Sequence, residues 1–282
     1  MQVIHSAKSM QAESRRLRTT EKTIGFVPTM GYLHDGHLSL LQLARPKCDV
    51  LVASIFVNPT QFRPNEDFNE YPRDLERDQK LLESTRCDIL YYPSPEEMYP
   101  DNFQTYVRVE QIGDLFEGAS RPGFFRGVAT VVSKLFNIVQ PHFAVFGQKD
   151  AQQAVVIKRM VRDLNFDVEI MVGPTIREAD GLAMSSRNSY LSHQERGDAR
   201  VLYRSLMIAK ETIEQGEKDA GEIISEIKSM IEAVSSATID YVALVNPETF
   251  VEIKTLAQPV LIIMAVKIGS TRLIDNLFVT PK

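Results

Sequence analysis

Only two cysteines occur in the 282-residue chain, Cys48 and Cys87, and they stand in no C-x-x-C pattern. A disulfide framework is therefore excluded as the organising principle, and two reduced, mostly buried thiols are expected. No apolar stretch approaches the roughly 20 residues that a membrane-spanning helix needs. The greasiest run, 260–266, is strand-sized. The first residues lack the apolar core of a signal peptide, so a cytoplasmic protein is the expectation. Positive charge is also short: Lys plus Arg number 32 against 37 Asp plus Glu, a net charge of −5. Wrapping nucleic acid takes a basic face, so neither nucleic acid nor a membrane is expected as partner. A small anion can still be held where a few cations converge. Two phosphate-binding signatures, G-x-x-x-x-G-K-[ST] and G-x-G-x-x-G, are missing, which disfavours a P-loop or a standard dinucleotide fold.

What is present is ordinary globular material, 44% hydrophobic and 24% charged, which argues against disorder, collagen and coiled coil. The length suits one large or two modest domains. Short runs rich in Val, Ile, Phe and Tyr predict strands over 23–27, 50–57, 89–92, 144–146 and 168–172. Between them, helices are expected over 37–44, 74–84, 127–139 and 151–164. The third shows Val128, Val131, Val132, Leu135, Phe136 and Val139 at helical spacing. Strands alternating with helices imply an α/β fold, a doubly wound, Rossmann-like parallel sheet that binds ligands at the carboxyl ends of its strands. After Asn188 the texture changes. Ser192, with Glu195 three residues on, predicts a capped helix to about 215, followed by a helix over 220–234 and strands over 239–245, 260–266 and 271–274. The expected division is 1–178, a Rossmann-like ligand-binding domain, and 179–282, a smaller α+β C-terminal domain.

Four segments have the composition of chemistry. In the first, Met30, Gly31, Tyr32, Leu33, His34, Asp35, Gly36 and His37 join a strand ending near Pro28 to a helix. A helix N-terminus offers free N–H groups and partial positive charge to a phosphate. Two imidazoles three residues apart can both donate to the same anion. A glycine-rich turn with incidental histidines is the competing reading, and a zinc site lacks a third local ligand. In the second, Asn58 and Gln61 sit at a strand end, where amides suit hydroxyl and carbonyl recognition, although a plain strand-ending turn explains them equally. In the third, Gly147, Gln148, Lys149 and Asp150 again pass from strand to helix, with Lys149 able to meet phosphate and Gln153 one turn beyond. In the fourth, Met184, Ser185, Ser186 and Arg187 combine hydroxyls with a cation after Gly181; an interdomain linker is the alternative. Asp78 is a candidate for hard Mg²⁺, against the plainer reading of a solvated helix face.

Together and in this order, PTMGYLHDGH, FVNPTQF, RPGFFRGVATVV, VFGQKDAQQ and READGLAMSSRN resemble the pantothenate synthetase (pantoate–β-alanine ligase) family over nearly the whole chain. That family belongs to the HxGH nucleotidyltransferase superfamily, relatives of class I aminoacyl-tRNA synthetases. The resemblance implies ATP-dependent condensation of (R)-pantoate with β-alanine through a pantoyl adenylate, releasing pyrophosphate and AMP, with Mg²⁺. It also implies roles. Residues 30–37 would bind ATP, with His34 and His37 on its phosphates and His37 the proton donor. Residues 147–150 would hold the nucleotide, with Lys149 on a phosphate. Ile176 would meet adenine through its backbone. Residues 184–187 would close over the triphosphate, with Arg187 as the cation. Gln61 and Gln153 would hold pantoate, Gln61 also meeting β-alanine, and Asp78 would help hold the metal. A cytoplasmic homodimer is implied, with 179–282 as a lid. The family often has His where this chain has Phe124, which weakens any site claim for 121–126. A simple nucleotidyltransferase and a non-catalytic nucleotide sensor are the other readings; the full set of cations argues against the sensor.

Overall fold

The computed structural model describes residues 1–63 and 68–281. Among these, the chain forms two compact units, one of residues 1–148 and 156–174, the other of 149–155 and 175–282.

The first unit runs β1 (Gln2–Ile4), α1 (Ala7–Thr19), β2 (Ile24–Thr29), α2 (Asp35–Ala44), β3 (Val50–Ile55), α3 (Leu75–Ser84), β4 (Ile89–Tyr91), the one-turn α4 (Pro95–Met98) and α5 (Glu117–Ser120), α6 (Phe124–Val139), β5 (Phe143–Gly147), α7 (Ala151–Asp163) and β6 (Glu169–Gly173). The first residues of α7 fall in the second unit. The six strands form one sheet in the order β1-β4-β3-β2-β5-β6, every pair parallel. Strands buried on both faces explain the continuous apolar runs. On β3, Leu51, Ala53 and Ile55 pack with Leu41 and Leu82 of the helices, while the equally buried Val52 lies outside that cluster. The doubly wound expectation thus holds. β1 and α1 were not foreseen; α1 is started by Ser6, whose side chain accepts from the Ser9 N–H at 3.1 Å.

The strand order reverses at β2, with β3 on one side and β5 on the other. Such a switch point opens a crevice at the carboxyl ends. Here the β2–β5 ladder consists of Gly25↔Phe143 and Phe26↔Ala144, whereas β2 and β3 stay paired to Thr29↔Ile55. Pro28, which has no N–H for any ladder, lies beyond the point where β2 and β5 part.

The second unit carries α8 (His193–Glu214), α9 (Ala220–Glu232) and an antiparallel sheet of β7 (Ala237–Val245), β8 (Val260–Ile268) and β9 (Thr271–Val279), with β8 central. Its core joins Leu202 and Leu206 of α8, Ile223 and Ile227 of α9, and Ile262, Met264 and Val266 of β8. The capping box is present: Ser192 Oγ accepts from the Glu195 N–H at 3.3 Å, and the Glu195 carboxylate accepts from the Ser192 N–H at 2.9 Å. No helix among the described residues is long and apolar enough to cross a membrane.

Candidate active site

The carboxyl end of β2 leads directly into the histidine turn. Gly31 takes φ +84°, and Tyr32 takes φ +50°. A Cβ at Gly31 would lie 2.9 Å from Ile55 Cγ2 and 3.1 Å from Asp78 Oδ2, so this position has no room for a side chain. The turn is held from below by Asp78, in the first turn of α3 and 1% exposed. Its Oδ2 accepts from the Tyr32 N–H at 2.7 Å and its Oδ1 from the Leu33 N–H at 2.8 Å. Burial raises the Asp78 carboxyl above its ordinary range, against the lowering effect of these two donors.

His34 is the N-cap of α2, and His37 lies in its first turn. Their rings are 4.0 Å apart, centroid to centroid. The His34 N–H donates to His37 Nδ1 at 3.3 Å. An Nδ1 that accepts carries no proton, so the neutral ring keeps its hydrogen on Nε2. Leu33 is fully buried and anchors the turn in the core, while Asp35 is exposed.

Beyond β3, Pro59–Gln61 forms a 3₁₀ turn. Asn58 (1% exposed) and Gln61 (8% exposed) are both buried in this strand-ending turn. Asn58 Nδ2 donates to Gln61 Oε1 at 2.8 Å and to the Gly127 carbonyl at 3.1 Å. Asn58 Oδ1 accepts from the Tyr99 hydroxyl at 2.8 Å. Burial pushes that hydroxyl's pKa up to about 12, so Tyr99 remains protonated at neutral pH. α6 packs on this turn so closely that a Cβ at Gly127 would overlap the Thr60 carbonyl.

Arg121 binds the same turn: its Nη2 donates to the Gln61 carbonyl at 3.1 Å, and its Nη1 reaches Glu117 at 3.3 Å. Phe124 lies under the Arg121 guanidinium at 4.0 Å from the ring centroid. The departure at 124 therefore does not detach this segment from the candidate site. Tyr99 and the bond from Arg121 to the Gln61 carbonyl escaped the sequence reading, because both depend on contacts between segments far apart in sequence. Gly147 ends β5 in this unit, and Gln148 begins the next turn.

In the second unit, the Lys149 carbonyl accepts from Asn276 Nδ2 at 2.9 Å, and its Nζ lies 3.7 Å from Asp150 Oδ1. Gln153 is half-buried in the first turn of α7. Ile176 and Met184 are brought together, the Met184 N–H donating to the Ile176 carbonyl at 3.0 Å. Between them the chain turns at Gly181, φ +93°, where a Cβ would overlap the Tyr203 ring. Arg177 fixes this hairpin through a buried fork on Asp275, with bonds of 2.6 and 2.9 Å. The following turn, Ser186–Tyr190, is capped by Ser185, whose Oγ accepts from the Arg187 N–H at 3.3 Å. Asn188 anchors its base, Nδ2 donating to Glu178 at 2.8 Å and to the Ala183 carbonyl at 3.1 Å.

Among the described residues no group of three or more His, Cys, Asp or Glu is placed to hold a metal ion. Both Asp78 oxygens are already engaged by main-chain donors. The described residues do not present a carboxylate cage for Mg²⁺, an ion that commonly binds through substrate phosphates and one or two carboxylates.

A family model described as pantoate-beta-alanine ligase matches residues 2–278. The pantothenate synthetase of Acetivibrio thermocellus is 56% identical over 279 residues, 99% of each chain. That of Caldicellulosiruptor bescii is 54% identical over the whole of both chains. Among solved structures, the pantothenate synthetase of Thermus thermophilus superposes with a TM-score of 0.95 at 48% identity, covering both chains fully. A pantoate-beta-alanine ligase from Francisella tularensis, complexed with beta-gamma ATP and β-alanine, gives 0.80 at 35% identity, covering 98% of this chain and 97% of that one.

Proposed function

The chain belongs to the pantoate–β-alanine ligase family, and with that as premise we propose how its own residues carry the reaction. It is an ATP-using ligase that joins pantoate to β-alanine to give pantothenate. A pantoate carboxylate oxygen attacks the α-phosphorus of ATP, and pyrophosphate leaves. The amine of β-alanine then attacks the acyl carbon of pantoyl adenylate, and AMP leaves with the electron pair of the broken C–O bond.

Bringing a carboxylate to a triphosphate joins two anions, so what the protein must supply is positioned donors and positive charge rather than a nucleophile. The observation that carries the reading is the histidine turn at the carboxyl end of β2, with its rings 4.0 Å apart where β2 and β5 have parted. His37 takes the role of proton donor to the phosphates: its Nδ1 accepts from the His34 N–H, so the ring hydrogen sits on Nε2. The N-terminus of α2 adds main-chain donors. Residues 30–37 and 147–150 take the nucleotide, Lys149 and Arg187 neutralise phosphate charge, and residues 184–187 form the loop over the triphosphate. Ile176 meets adenine through its backbone, its carbonyl already serving Met184. Gln61 and Gln153 hold (R)-pantoate.

Bound Mg²⁺ would offset phosphate charge, with the triphosphate and Asp78 as the groups that would hold it, and Asp78 also braces the histidine turn through the Tyr32 and Leu33 N–H groups. The division into 1–178 and a lid of 179–282, a homodimer and a cytoplasmic location complete the proposal. The test is pyrophosphate release from ATP and Mg²⁺ with pantoate, followed by AMP release on adding β-alanine. Pantoate-dependent pyrophosphate, with rapid AMP only after β-alanine, is expected. ATP binding without pantoate-dependent pyrophosphate would overturn the assignment of the acid.

A further inference from the structure

We propose that Asn58, polarised by the Thr60 N–H and the Gly127 carbonyl and clamped by the Tyr99 hydroxyl, decides which end of the Gln61 side-chain amide faces the substrate, leaving its NH₂ group to grip an acceptor oxygen of pantoate. This rests on Gln61 being a pantoate contact. The two ends of an amide have nearly the same shape and are told apart by their partners. Here two main-chain groups of fixed polarity settle the matter. The Thr60 N–H can only donate, so the Asn58 atom 3.3 Å from it is Oδ1. The Gly127 carbonyl can only accept, so the Asn58 atom 3.1 Å from it is Nδ2. Nδ2 only donates, so the Gln61 atom 2.8 Å from it is Oε1. The two hydrogens on Gln61 Nε2 are left for a ligand.

Tyr99 holds this arrangement in place. Its hydroxyl bonds Asn58 Oδ1 at 2.8 Å, beside the Thr60 hydroxyl at 3.0 Å, so that oxygen is saturated with donors. A flipped Asn58 would set its NH₂ against the Thr60 N–H and its oxygen against the Gly127 carbonyl. With Nε2 outward, Gln61 suits a hydroxyl or carboxylate oxygen and repels an ammonium. Tyr99 and Asn58 are positioning residues, acting only through Gln61.

The test is steady-state kinetics on the full chain for Tyr99→Phe, Gln61→Ala and the double variant, with the melting temperature of each. Tyr99→Phe keeps the ring, which packs edge-on against Phe103. Loss of one neutral hydrogen bond should raise the KM for pantoate about three- to ten-fold and leave the KM for ATP and the melting temperature near wild type. In the Gln61→Ala background the same substitution should add nothing. An equal rise in the KM for ATP, an undiminished effect without Gln61, or no rise at all would overturn the relay. If Gln61→Ala itself leaves the KM for pantoate unchanged, the assignment of Gln61 is what fails. Asn58→Asp, which puts an oxygen against Gln61 Oε1, should exceed Tyr99→Phe in its effect on pantoate wherever it folds.

Discussion

Two side chains of the candidate site carry opposite expectations, His37 for activity and Asp78 for support. His37 is half-buried in the first turn of a helix and adds little to the core, so His37→Ala should leave the melting temperature nearly unchanged. Pantoate-dependent pyrophosphate release should fall by about 10²- to 10⁴-fold, the usual worth of a positioned proton donor. A release rate near wild type would remove that role. Asp78 is the opposite case. Asp78→Asn keeps the shape but turns an NH₂ toward the Tyr32 or Leu33 N–H, putting donor against donor in a buried place. We expect a loss of about 1–3 kcal/mol in denaturant unfolding, together with weaker ATP binding. Lower stability with unaltered ATP affinity would confine Asp78 to folding.

At the scale of elements, the packing of α6 against the Asn58–Gln61 turn is what places an amide at the end of β3. Gly127 is the contact point: a methyl there would overlap the Thr60 carbonyl and lie 2.9 Å from the Gln61 nitrogen. Both are main chain and cannot move aside cheaply. Gly127→Ala should therefore cost about 1–3 kcal/mol and weaken pantoate binding. Gly197, in α8, has nothing within 4 Å of its Cβ position. Gly197→Ala is the control, expected to be neutral or to stabilise the helix by about 0.5–1 kcal/mol. Equal losses in both, measured by urea unfolding, would show that the contact at Gly127 is not the cause. The histidine turn is built on the same logic, one element braced by the next: α3 supplies the carboxylate that sets the entry to α2.

For the molecule as a whole, ligand and fold are linked. ATP bound at about 100 times its Kd should add about 2.7 kcal/mol of stability, visible as a rise in melting temperature. Chelating divalent cations should abolish pyrophosphate release, and added Mg²⁺ should restore it. Full turnover in excess chelator would take the metal out of the mechanism. Sedimentation at enzyme concentrations used for assay tests the homodimer. The ATP and chelator measurements bear on the protein without reference to any one contact, because each sums over every group that meets the nucleotide.

Local patterns were enough to read the parallel sheet, the capping box at Ser192, the helical spacing of α6 and the HxGH turn between strand and helix, because each rests on residues within a few positions of one another. The strand β1 was missed because three residues carry too little periodicity, and α1 because its polar face outweighs Met10 and Leu17 in the pattern. The resemblance to the family likewise came from ordered motifs in the chain alone. What the sequence could not yield was polarity and support. Nothing near Gln61 announces that Tyr99, 38 positions on, bonds the asparagine that turns its amide, or that Arg121 holds its carbonyl. The sequence leaves Asp78 between a solvated helix acid and a metal candidate; its burial and two main-chain donors remove the solvated reading and show it bracing a turn. Side-chain type and short-range spacing are written in the chain. Which end of an amide faces outward, and which acid is buried, depends on segments that meet only when the fold closes.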